Sequence, residues 1–457
     1  MAAAAVPRIL FLTGRLAEPA LRAVLSELAP GRFDAEVREL GLQVAGLMTA
    51  EMIRRRLTLS KGIARVMVPG RCRGDLESLT ADFGLPFERG PDELAELPEW
   101  FGGKARRADL SRHGVRLFAE IVDAPRLSLE QIVTRAGELA ADGADVIDLG
   151  CLPETPFPHL GEAVAELKRR GYSVSVDSLA EADLRLAVQC GADHVLSLSE
   201  DTLHFVDAGS TVPVLIPTRG GSYASLARAI RAMQARRQPF FADPILDPIH
   251  FGFTDSLLRY RRLRREFPEV SILMGIGNVT ELTDADTSGI NAVLFGIISE
   301  LGINAVLTTA VSPHARRAVR EADVARRLMF AAKADGALPR GYTAELLTIH
   351  DRRPFLQDLA EVRALAERVR DPSFRVQVTA EGLNVYNRDG LWSGQDPFAL
   401  FPRLKLDHDG SHAFYMGVEL ARAQIAWRLG KRYAQDRPLD WKVADAHRDL
   451  DEDSPCR

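Results

Sequence analysis

Cysteine is scarce in this sequence, and a long apolar run and a strong net charge are both missing. Only four of the 457 residues are cysteine, and no two form a C-x-x-C pair, so neither a disulfide framework nor a zinc knuckle is indicated. No uncharged apolar run reaches the ~18 residues of a membrane span, and the first residues do not resemble a signal peptide. The 58 basic and 63 acidic residues nearly balance. We therefore expect a cytoplasmic protein without a nucleic-acid or membrane partner.

Residues 110–336 alternate short apolar runs with helical patterns. Strand–helix units repeated over this length favour a closed (β/α)8 TIM barrel, with an open doubly wound sheet as the alternative. Gly143 and Gly191 each open a Gly-Ala-Asp sequence before a strand, so we expect both to end a helix in the left-handed conformation. The strand-like runs are Arg116–Val122, Asp145–Leu149, Ser173–Val176, His194–Ser197, Val212–Ile216, Phe240–Ala242, Ser271–Met274 and Ala305–Thr308.

Two smaller domains are predicted to flank this barrel. Residues 1–105 indicate a small α/β domain of flavodoxin-like type, because short strands alternate with helices. Residues 340–447 indicate a C-terminal α/β domain, and residues 448–457 form an acidic tail. The elements behind this division are strands at Ile9–Leu12 and Arg65–Val68, a hairpin of Phe374–Val378 with Gly382–Tyr386, and a helix over His412–Arg432 with Phe414, Val418, Ala421, Ile425 and Leu429 on its apolar stripe.

Polar side chains follow the predicted barrel strands, at the end where barrel enzymes carry their active sites. Asp177 has an alternative interpretation as a helix cap. Asp243 and Asp247, each before a proline, could be turn residues, and Ser312 could cap a helix that starts with proline. The residues predicted to share this mouth are Asp123, Glu154, Thr155, Asp177, Ser178, Ser197, Ser199, Thr218, Arg219, Asp243, Asp247, Asn278, Thr309, Ser312 and His314.

Four stretches of the barrel resemble dihydropteroate synthase and its pterin-binding relatives. They are Gly143–Gly150, Ser175–Ser178, Gly191–Asp193, and Asp243–Pro248 with Phe251-Gly252. A fifth, Met274–Thr280, is similar to the seventh-strand turn of the pterin-dependent methyltransferases in that superfamily. The resemblance covers about half of the chain and implies a pterin-binding barrel.

By this resemblance, a carboxylate and an amide would hold a pterin ring. Asp177 matches the carboxylate that meets the 2-amino and N3–H edge, which one carboxylate can accept as a pair. Asp243 or Asp247 matches the second carboxylate, and the position of Phe251-Gly252 favours Asp247. Asn278 matches the methyltransferase amide. The predicted pterin-binding set is Asp177, Ser197, Asp243, Asp247 and Asn278.

The chain departs from dihydropteroate synthase in the motifs for metal and diphosphate. Ile121–Pro125 replaces Asn-Val-Thr-Pro-Asp-Ser, and Cys151–Pro156 replaces a Gly-Glu-Ser-Thr-Arg-Pro run. The seventh-strand Ser-Arg-Lys is absent, and Thr308–His314 stands where the synthase has Arg-x-His. These differences argue against a plain folate synthase. Arg219, Ser312 and His314 remain as the residues that would hold a diphosphate leaving group.

Two other stretches resemble proteins of methanopterin metabolism. Met274–Leu301 is similar to dihydropteroate synthase-related proteins of methanopterin pathways. Ala413–Leu420 with Tyr433–Asp436 resembles a small domain of the A subunit of tetrahydromethanopterin methyltransferase. The resemblance implies a transferase of tetrahydromethanopterin biosynthesis that joins a hydroxymethyl-dihydropterin diphosphate to an arylamine of the ribofuranosyl-aminobenzene type.

Two other functions stay open at the level of sequence. One is methyl transfer from a methyl-pterin to a corrinoid. The corrinoid-binding motif Asp-x-His-x-x-Gly is absent from the chain, so the corrinoid would have to be on a separate protein. The other is a pterin-binding or scaffold protein without catalysis. We expect no tightly bound organic cofactor. The sequence identifies no metal-ligand set, although Mg²⁺ would assist the departure of diphosphate. The oligomeric state is open, with a homodimer as the candidate.

Overall fold

The computed structural model describes residues 6–28, 33–104, 108–152, 155–205, 211–218 and 222–445. The chain divides into two compact units, Met1–Thr343 and Ala344–Arg457. Within the described ranges, no helix has both the length and the apolar character needed to cross a membrane. The predicted acidic tail, 448–457, lies outside the described residues.

The first unit begins with a four-stranded parallel sheet in the order β2-β1-β3-β4. Of its two middle strands, β1 is buried over residues 9–12 and β3 over residues 66–68, as these apolar runs require in a sheet covered on both faces. Strands β2 and β4 escape the sequence analysis because they carry charged residues or are very short. The elements are β1 Arg8–Thr13, α1 Glu18–Glu27, β2 Asp34–Glu39, α2 Ala50–Arg56, β3 Ile63–Val68, α3 Leu76–Phe83, β4 Phe87–Arg89 and α4 Leu97–Trp100.

A closed barrel of eight parallel strands follows, so the predicted fold class is confirmed and the open sheet is wrong. Each strand pairs with its sequence neighbours, and the last pairs with the first. The barrel strands are β5 Arg116–Ile121, β6 Val146–Gly150, β7 Ser173–Asp177, β8 His194–Leu198, β9 Val212–Leu215, β10 Phe241–Ala242, β11 Ser271–Gly275 and β12 Ala305–Thr308.

Helices surround the barrel, and two of them end at the glycines that the sequence analysis expected. Gly143 and Gly191 have φ values of 103° and 88°, which confirms the predicted left-handed glycines after two helices. Ser128 starts one helix with a capping box that includes Gln131. The helices are α5 Leu129–Ala141, α6 Leu160–Arg169, α7 Glu181–Gln189, α8 Tyr223–Arg236, α9 Phe253–Glu266, α10 Gly277–Thr280, α11 Thr287–Leu301 and α12 Ala318–Ala334.

Large side chains fill the lower part of the barrel. Phe118, Leu196 and Phe241 form one buried cluster inside it with valine, leucine and alanine from the other strands. The ring of His194 lies against Phe118, with centroids 5.0 Å apart. The barrel interior is therefore a packed core at this level, and in barrels of this type the active site lies at the carboxyl ends of the strands.

The second unit contains an antiparallel three-stranded sheet in the order β13-β14-β15, packed on one long helix. The predicted hairpin is present, and β15 extends it. The predicted apolar stripe of the helix is wrong: Phe414 is 77% exposed, whereas Met416, Leu420 and Ala423 face the sheet. The elements are α13 Leu359–Ala366, β13 Arg375–Thr379, β14 Gly382–Asn387, β15 Gly390–Gly394, α14 Pro397–Leu400 and α15 Gly410–Leu429.

Candidate functional site

Three carboxylates converge inside the barrel mouth, one from each of three successive strands. Glu120 of β5 pairs in register with Asp148 of β6, and Asp177 ends β7 opposite Gly150. Side chains along a strand alternate between its two faces. Each of these three residues is separated by an even number of positions from another residue of its strand that points into the barrel. We call Glu120, Asp148 and Asp177 the carboxylate triad. One oxygen from each member lies within 4.8 Å of the other two.

Asp148 is the deepest member of the triad and is fully buried. Its Oδ1 accepts a hydrogen bond from Ser175 Oγ on the neighbouring strand. Its Oδ2 is also buried and has no hydrogen-bond partner among the described residues. A buried carboxylate oxygen without a donor is costly, so this atom marks a place where a proton or a ligand belongs.

Gly150 leaves the space that Glu120 occupies. A Cβ at Gly150 would lie 2.5 Å from Glu120 Oε1 and 3.2 Å from the backbone of Val122. No larger residue fits there without moving the Glu120 side chain or the strand. The final glycine of the Gly143–Gly150 motif therefore has a steric role in the mouth.

Burial shifts all three triad pKa values upward, and repulsion between carboxylates adds to the shift for Glu120 and Asp148. Burial first, and then the Asp177 carboxylate, raise the pKa of Glu120 to about 7. Burial and the charges of Glu120 and Asp177 raise the pKa of Asp148 well above its usual value. Burial also raises the pKa of Asp177, while the hydrogen bond from Ser197 acts in the opposite direction. Groups so perturbed in a cleft are typical of functional sites.

Asp177 and Ser197 are brought together as the sequence analysis anticipated. Ser197 Oγ donates to Asp177 Oδ1 at 2.5 Å, and this bond fixes the carboxylate at the mouth. Ser197 has a φ of 67°, an unusual conformation for a residue that is not glycine. Asp177 does not cap the following helix, because the residue before α7 is Ala180 and provides no side-chain cap.

Asp243 lies just past β10 and is also held by a hydroxyl. Tyr260 Oη donates to its Oδ1 at 2.5 Å, and the Ile245 amide donates to the same atom at 2.7 Å. Burial raises the pKa of Asp243 to about 6, against the effect of these hydrogen bonds. Ile245 has a φ of 66°, a strained value for a β-branched residue, and such strain is often located at functional sites.

Asp247 is placed differently from Asp243. Its Oδ2 accepts from Arg259 Nη2 at 2.6 Å, and it is only partly buried. Arg259 also bonds the carbonyls of Pro244 and Ile245, so it holds the loop after β10 together. The guanidinium neutralises Asp247, whereas the described structure has no such cation against the triad.

Asn278 and the residues after β12 join the loops of the mouth. Asn278 Nδ2 donates to the Leu246 carbonyl at 2.8 Å, while the side chain remains exposed. His314 Nε2 lies 3.1 Å from the Thr280 carbonyl. The helix expected at Ser312-Pro313 begins instead at Ala318, so Ser312 is not its cap.

Glu281, which the sequence analysis missed, collects the donors of the loop after β12. It accepts from Thr309 Oγ1 at 3.0 Å and from the amides of Val311 and Ser312, each at 2.9 Å. Burial alone would raise the pKa of Glu281, but these hydrogen bonds outweigh it and the pKa is lowered. Ser312 is therefore already bound to an anionic group. Arg219 and Glu154 lie outside the described residues.

Glu120 and Asp148 were also missed, although the sequence contains a signal for both. Each is a charged residue at an inward position of an otherwise apolar strand, where a carboxylate is rare without a partner or a function. The expected pterin residues Asp177, Ser197, Asp243, Asp247 and Asn278 do all lie at the carboxyl ends of barrel strands or in the loops that follow them. Their role in binding stays a prediction.

Comparisons with known proteins find similarity to both the first sheet and the barrel. Residues 7–92 match a family of unknown function, DUF6513. The uncharacterized protein MJ0107 of Methanocaldococcus jannaschii is 25% identical over an alignment of 529 residues that covers 95% of this chain and 99% of that protein.

Solved dihydropteroate synthases match about half of the chain. The Yersinia pestis enzyme with a pterine-sulfa conjugate is 16% identical, with a TM-score of 0.39, and covers 50% of this chain and 96% of its own. The Xanthomonas albilineans enzyme with indole-2-carboxylic acid and 6-chloroguanine is 20% identical, with a TM-score of 0.40, and covers 49% and 94%. The barrel assignment rests on the strand order of this chain and does not depend on these similarities.

Proposed function

We propose that this protein is a pterin-binding transferase whose active site is the mouth of the barrel. One observation carries the proposal: two carboxylates at the mouth, Asp177 and Asp243, are each fixed by a hydroxyl group at 2.5 Å. The motifs around them resemble those of pterin-binding barrels. A fixed, largely buried carboxylate suits a ligand that presents two adjacent N–H donors, as the 2-amino and N3–H edge of a pterin does.

The donor edge of a pterin would complete the coordination of Asp177. Its Oδ1 already accepts from Ser197, and a pterin would supply donors to both oxygens. Because these groups are buried, a ligand without the donor edge would leave a carboxylate unpaired and bind much more weakly. On the other side of the mouth, Asp243 is favoured over Asp247 as the second carboxylate, because Arg259 already pairs with Asp247.

The finer reaction that we propose is the condensation expected from the methanopterin resemblance. The nitrogen of an arylamine of the ribofuranosyl-aminobenzene type attacks the exocyclic methylene carbon of a hydroxymethyl-dihydropterin diphosphate. A C–N bond forms, the C–O bond to diphosphate breaks, and the nitrogen loses one proton to solvent. The protein would contribute by positioning the two reactants and stabilising the leaving charge.

The loop after β12 is the candidate for binding the leaving diphosphate. Its donors, which include Thr309 Oγ1 and the amides of Val311 and Ser312, converge on the Glu281 carboxylate. A donor set that holds one anion suits another, and diphosphate carries more charge than a carboxylate. In this proposal diphosphate displaces Glu281. Glu281→Gln should then strengthen diphosphate binding. If Glu281 only stabilises the loop, the variant should instead have a disordered loop and bind diphosphate no more tightly than the unaltered protein.

The triad is also the group that would hold Mg²⁺ in the proposed enzyme. Hard carboxylate oxygens are the ligands that this ion prefers, and Asp148 Oδ2 lacks a donor among the described residues. Bound there, Mg²⁺ would neutralise the buried negative charge. We expect roughly millimolar Mg²⁺ to raise the midpoint of thermal unfolding of the unaltered protein but not of Glu120→Gln. An equal rise in both proteins would reject this site.

A second candidate function, methyl transfer from a methyl-pterin to a separate corrinoid protein, is favoured by Asn278. This residue is exposed at the mouth, and one hydrogen bond from its side-chain amide to the Leu246 carbonyl orients it. In a methyltransferase, Asn278 would act on the pterin ring as its methylated nitrogen leaves. A pterin-binding protein without catalysis would need only the carboxylates.

A paired assay separates the three functions. Purified protein receives pterin diphosphate with an arylamine in one reaction, and methyl-pterin with a corrinoid protein in the other. We expect diphosphate release in the first and no methylation in the second. Corrinoid methylation without diphosphate release would select the methyltransferase, and pterin binding without either product would select the non-catalytic protein.

A further inference from the structure

A cavity of about 700 Å³ lies in the first unit, at the carboxyl edge of the sheet β2-β1-β3-β4. Strand β1 lies between β2 and β3. The chain therefore passes from β1 to β2 on one side and then crosses to β3 on the other side of β1. Parallel sheets of this type bind ligands at such a switch in strand order, outside the carboxyl ends of the strands. The residues that follow β1, β3 and β4, namely the Thr13, Pro69 and Gly90 regions, all line the cavity.

Glycines keep this edge of the sheet open and its loops close together. A Cβ at Gly14 would lie 2.7 Å from the Ala45 amide, and one at Gly70 would lie 2.6 Å from the Pro91 carbonyl. Both contacts are with backbone, which cannot move aside as a side-chain end can. The loops around the cavity therefore pack against each other and do not fill the cavity.

The wall of the cavity contains an unusual number of exposed apolar side chains. Leu16, Val44, Leu47 and Leu338 are 42%, 45%, 64% and 53% exposed, and all four line this one cavity. Single exposed apolar residues need no explanation, but several that converge on one concavity mark a binding site. A cavity of this volume is in the range of small-molecule sites, about 300–1,000 Å³.

The rim of the cavity carries arginines. Arg71 and Arg340 share one carboxylate, Glu93, at 3.3 and 3.2 Å. Arg73 is exposed and has no hydrogen bond or ion pair from its side chain within the described ranges. Asp92 also lies at the rim, is exposed, and has no partner among the described residues. An anionic group would find two guanidinium groups, Arg71 and Arg73, near each other in sequence and on the same loop.

We propose that this cavity binds a small molecule with an apolar body and one anionic group, at a site separate from the barrel mouth. The apolar body contacts the leucine and valine wall, and the anion contacts Arg73 and Arg71. A guanidinium binds carboxylates, sulfonates and phosphates through parallel N–H donors. This site does not depend on the function proposed for the barrel.

The test uses 8-anilinonaphthalene-1-sulfonate as the probe, with N-phenyl-1-naphthylamine as the same ring system without the anion. Fluorescence titration of the full chain should give one saturable site for the sulfonate. Leu47→Glu should weaken it by about tenfold or more, because it removes an apolar contact and places a like charge beside the anion. Leu282→Glu is the matched control, since Leu282 is 67% exposed and does not line the cavity.

A second pair of variants tests the anionic part. Arg73→Gln should weaken the sulfonate by about tenfold while leaving the neutral probe unchanged. Arg55→Gln, an exposed arginine that does not line the cavity, should change neither. Equal binding by Leu47→Glu and Leu282→Glu would overturn the site, and equal loss of both probes in Arg73→Gln would overturn its anionic part. Asp177→Asn should bind the sulfonate normally, so failure of the pterin proposal leaves this result interpretable.

Discussion

Acidic residues at the amino ends of the barrel strands are paired with cations, whereas the carboxylate triad at the carboxyl ends is not. At the amino ends of the strands, Asp145 pairs with Arg326, and Asp193 pairs with Lys168 at 2.7 Å. At the carboxyl ends, the triad has no cation among the described residues, and burial raises the pKa of every member, with repulsion from Asp177 adding to the shift for Glu120 and Asp148. Charges that are paired stabilise the fold, whereas charges left unpaired await a ligand or a proton.

The lower end repeats one local device. A side chain just before β6, β8 or β12 accepts a hydrogen bond from the backbone amide of the second residue in the preceding strand. Asp145 accepts from Leu117 and Asp193 accepts from Val174, each at 2.8 Å. Asn304 does the same for Ile272 at 3.0 Å. These side chains close the hydrogen-bonding of the strand starts, so the lower end is complete without any ligand.

The comparison is tested most strongly by removing the cation of the lower end. Arg326 is 2% exposed and bonds Asp145, Asp323 and the Gly143 carbonyl. Arg326→Ala would leave Asp145 without its cation, while Asp323 would keep its ion pair with Arg327, so we expect the free energy of unfolding to fall by about 3–5 kcal/mol. Denaturant unfolding measures this. The control is Arg316→Ala, an exposed arginine, which should change stability by less than about 0.5 kcal/mol.

At the upper end, the matching substitution should affect binding and leave stability almost unchanged. Asp177→Asn keeps the size of the side chain but removes the charge that accepts the pterin edge. We expect the affinity for a reduced pterin to fall by about 2 kcal/mol or more, close to 30-fold. Calorimetric titration of both proteins decides this. Equal affinities would remove Asp177 from the site, and Asp247→Asn, with its carboxylate already paired to Arg259, should have a smaller effect.

Much of the fold, but little of the contrast between the two barrel ends, could be predicted from the sequence. Strand positions follow from short apolar runs and turn residues, and the glycines after two helices follow from local conformation. The triad was not found because its three members come from three strands and meet only when the barrel closes. Likewise, nothing local in the sequence indicates that Glu281 accepts from the loop after β12, or that Arg259 pairs with Asp247. Partners that are distant in sequence are fixed by register and packing.

His194 lies in the core between the two ends and makes the interior sensitive to pH. Burial lowers its pKa to about 4, and Nδ1 has no hydrogen-bond partner in the described structure. The pKa of this group in the unfolded chain is near 6.5, so between pH 6.5 and pH 4 the unfolded chain binds a proton that the folded protein does not. Stability from this group is therefore present above pH 6.5 and is lost as the pH falls toward 4.

The size of this effect follows from the same two values. Between pH 7 and pH 5, His194 should account for a loss of about 2 kcal/mol, because each unit of pKa difference is worth about 1.4 kcal/mol. His194→Leu should lose that much less stability over this range than the unaltered protein. Unfolding free energies at the two pH values provide the measurement, and parallel losses in both proteins would show that His194 is protonated without cost.

The smallest expected effect has the opposite sign and concerns Asp148. Its folded pKa is raised, so the stability associated with this group is present at low pH and is lost as the pH rises through the folded pKa. At a pH above the raised folded pKa of Asp148, Asp148→Asn removes a buried charge, retains an acceptor for Ser175, and adds donors beside Glu120 and Asp177. We expect the free energy of unfolding to stay constant or to rise by about 1 kcal/mol, while Mg²⁺ no longer stabilises the protein. Asp123→Asn, at an exposed carboxylate, is the control. A fall of several kcal/mol for Asp148→Asn would mean that the upper carboxylates are structural like the lower ones, and the contrast between the two ends would fail.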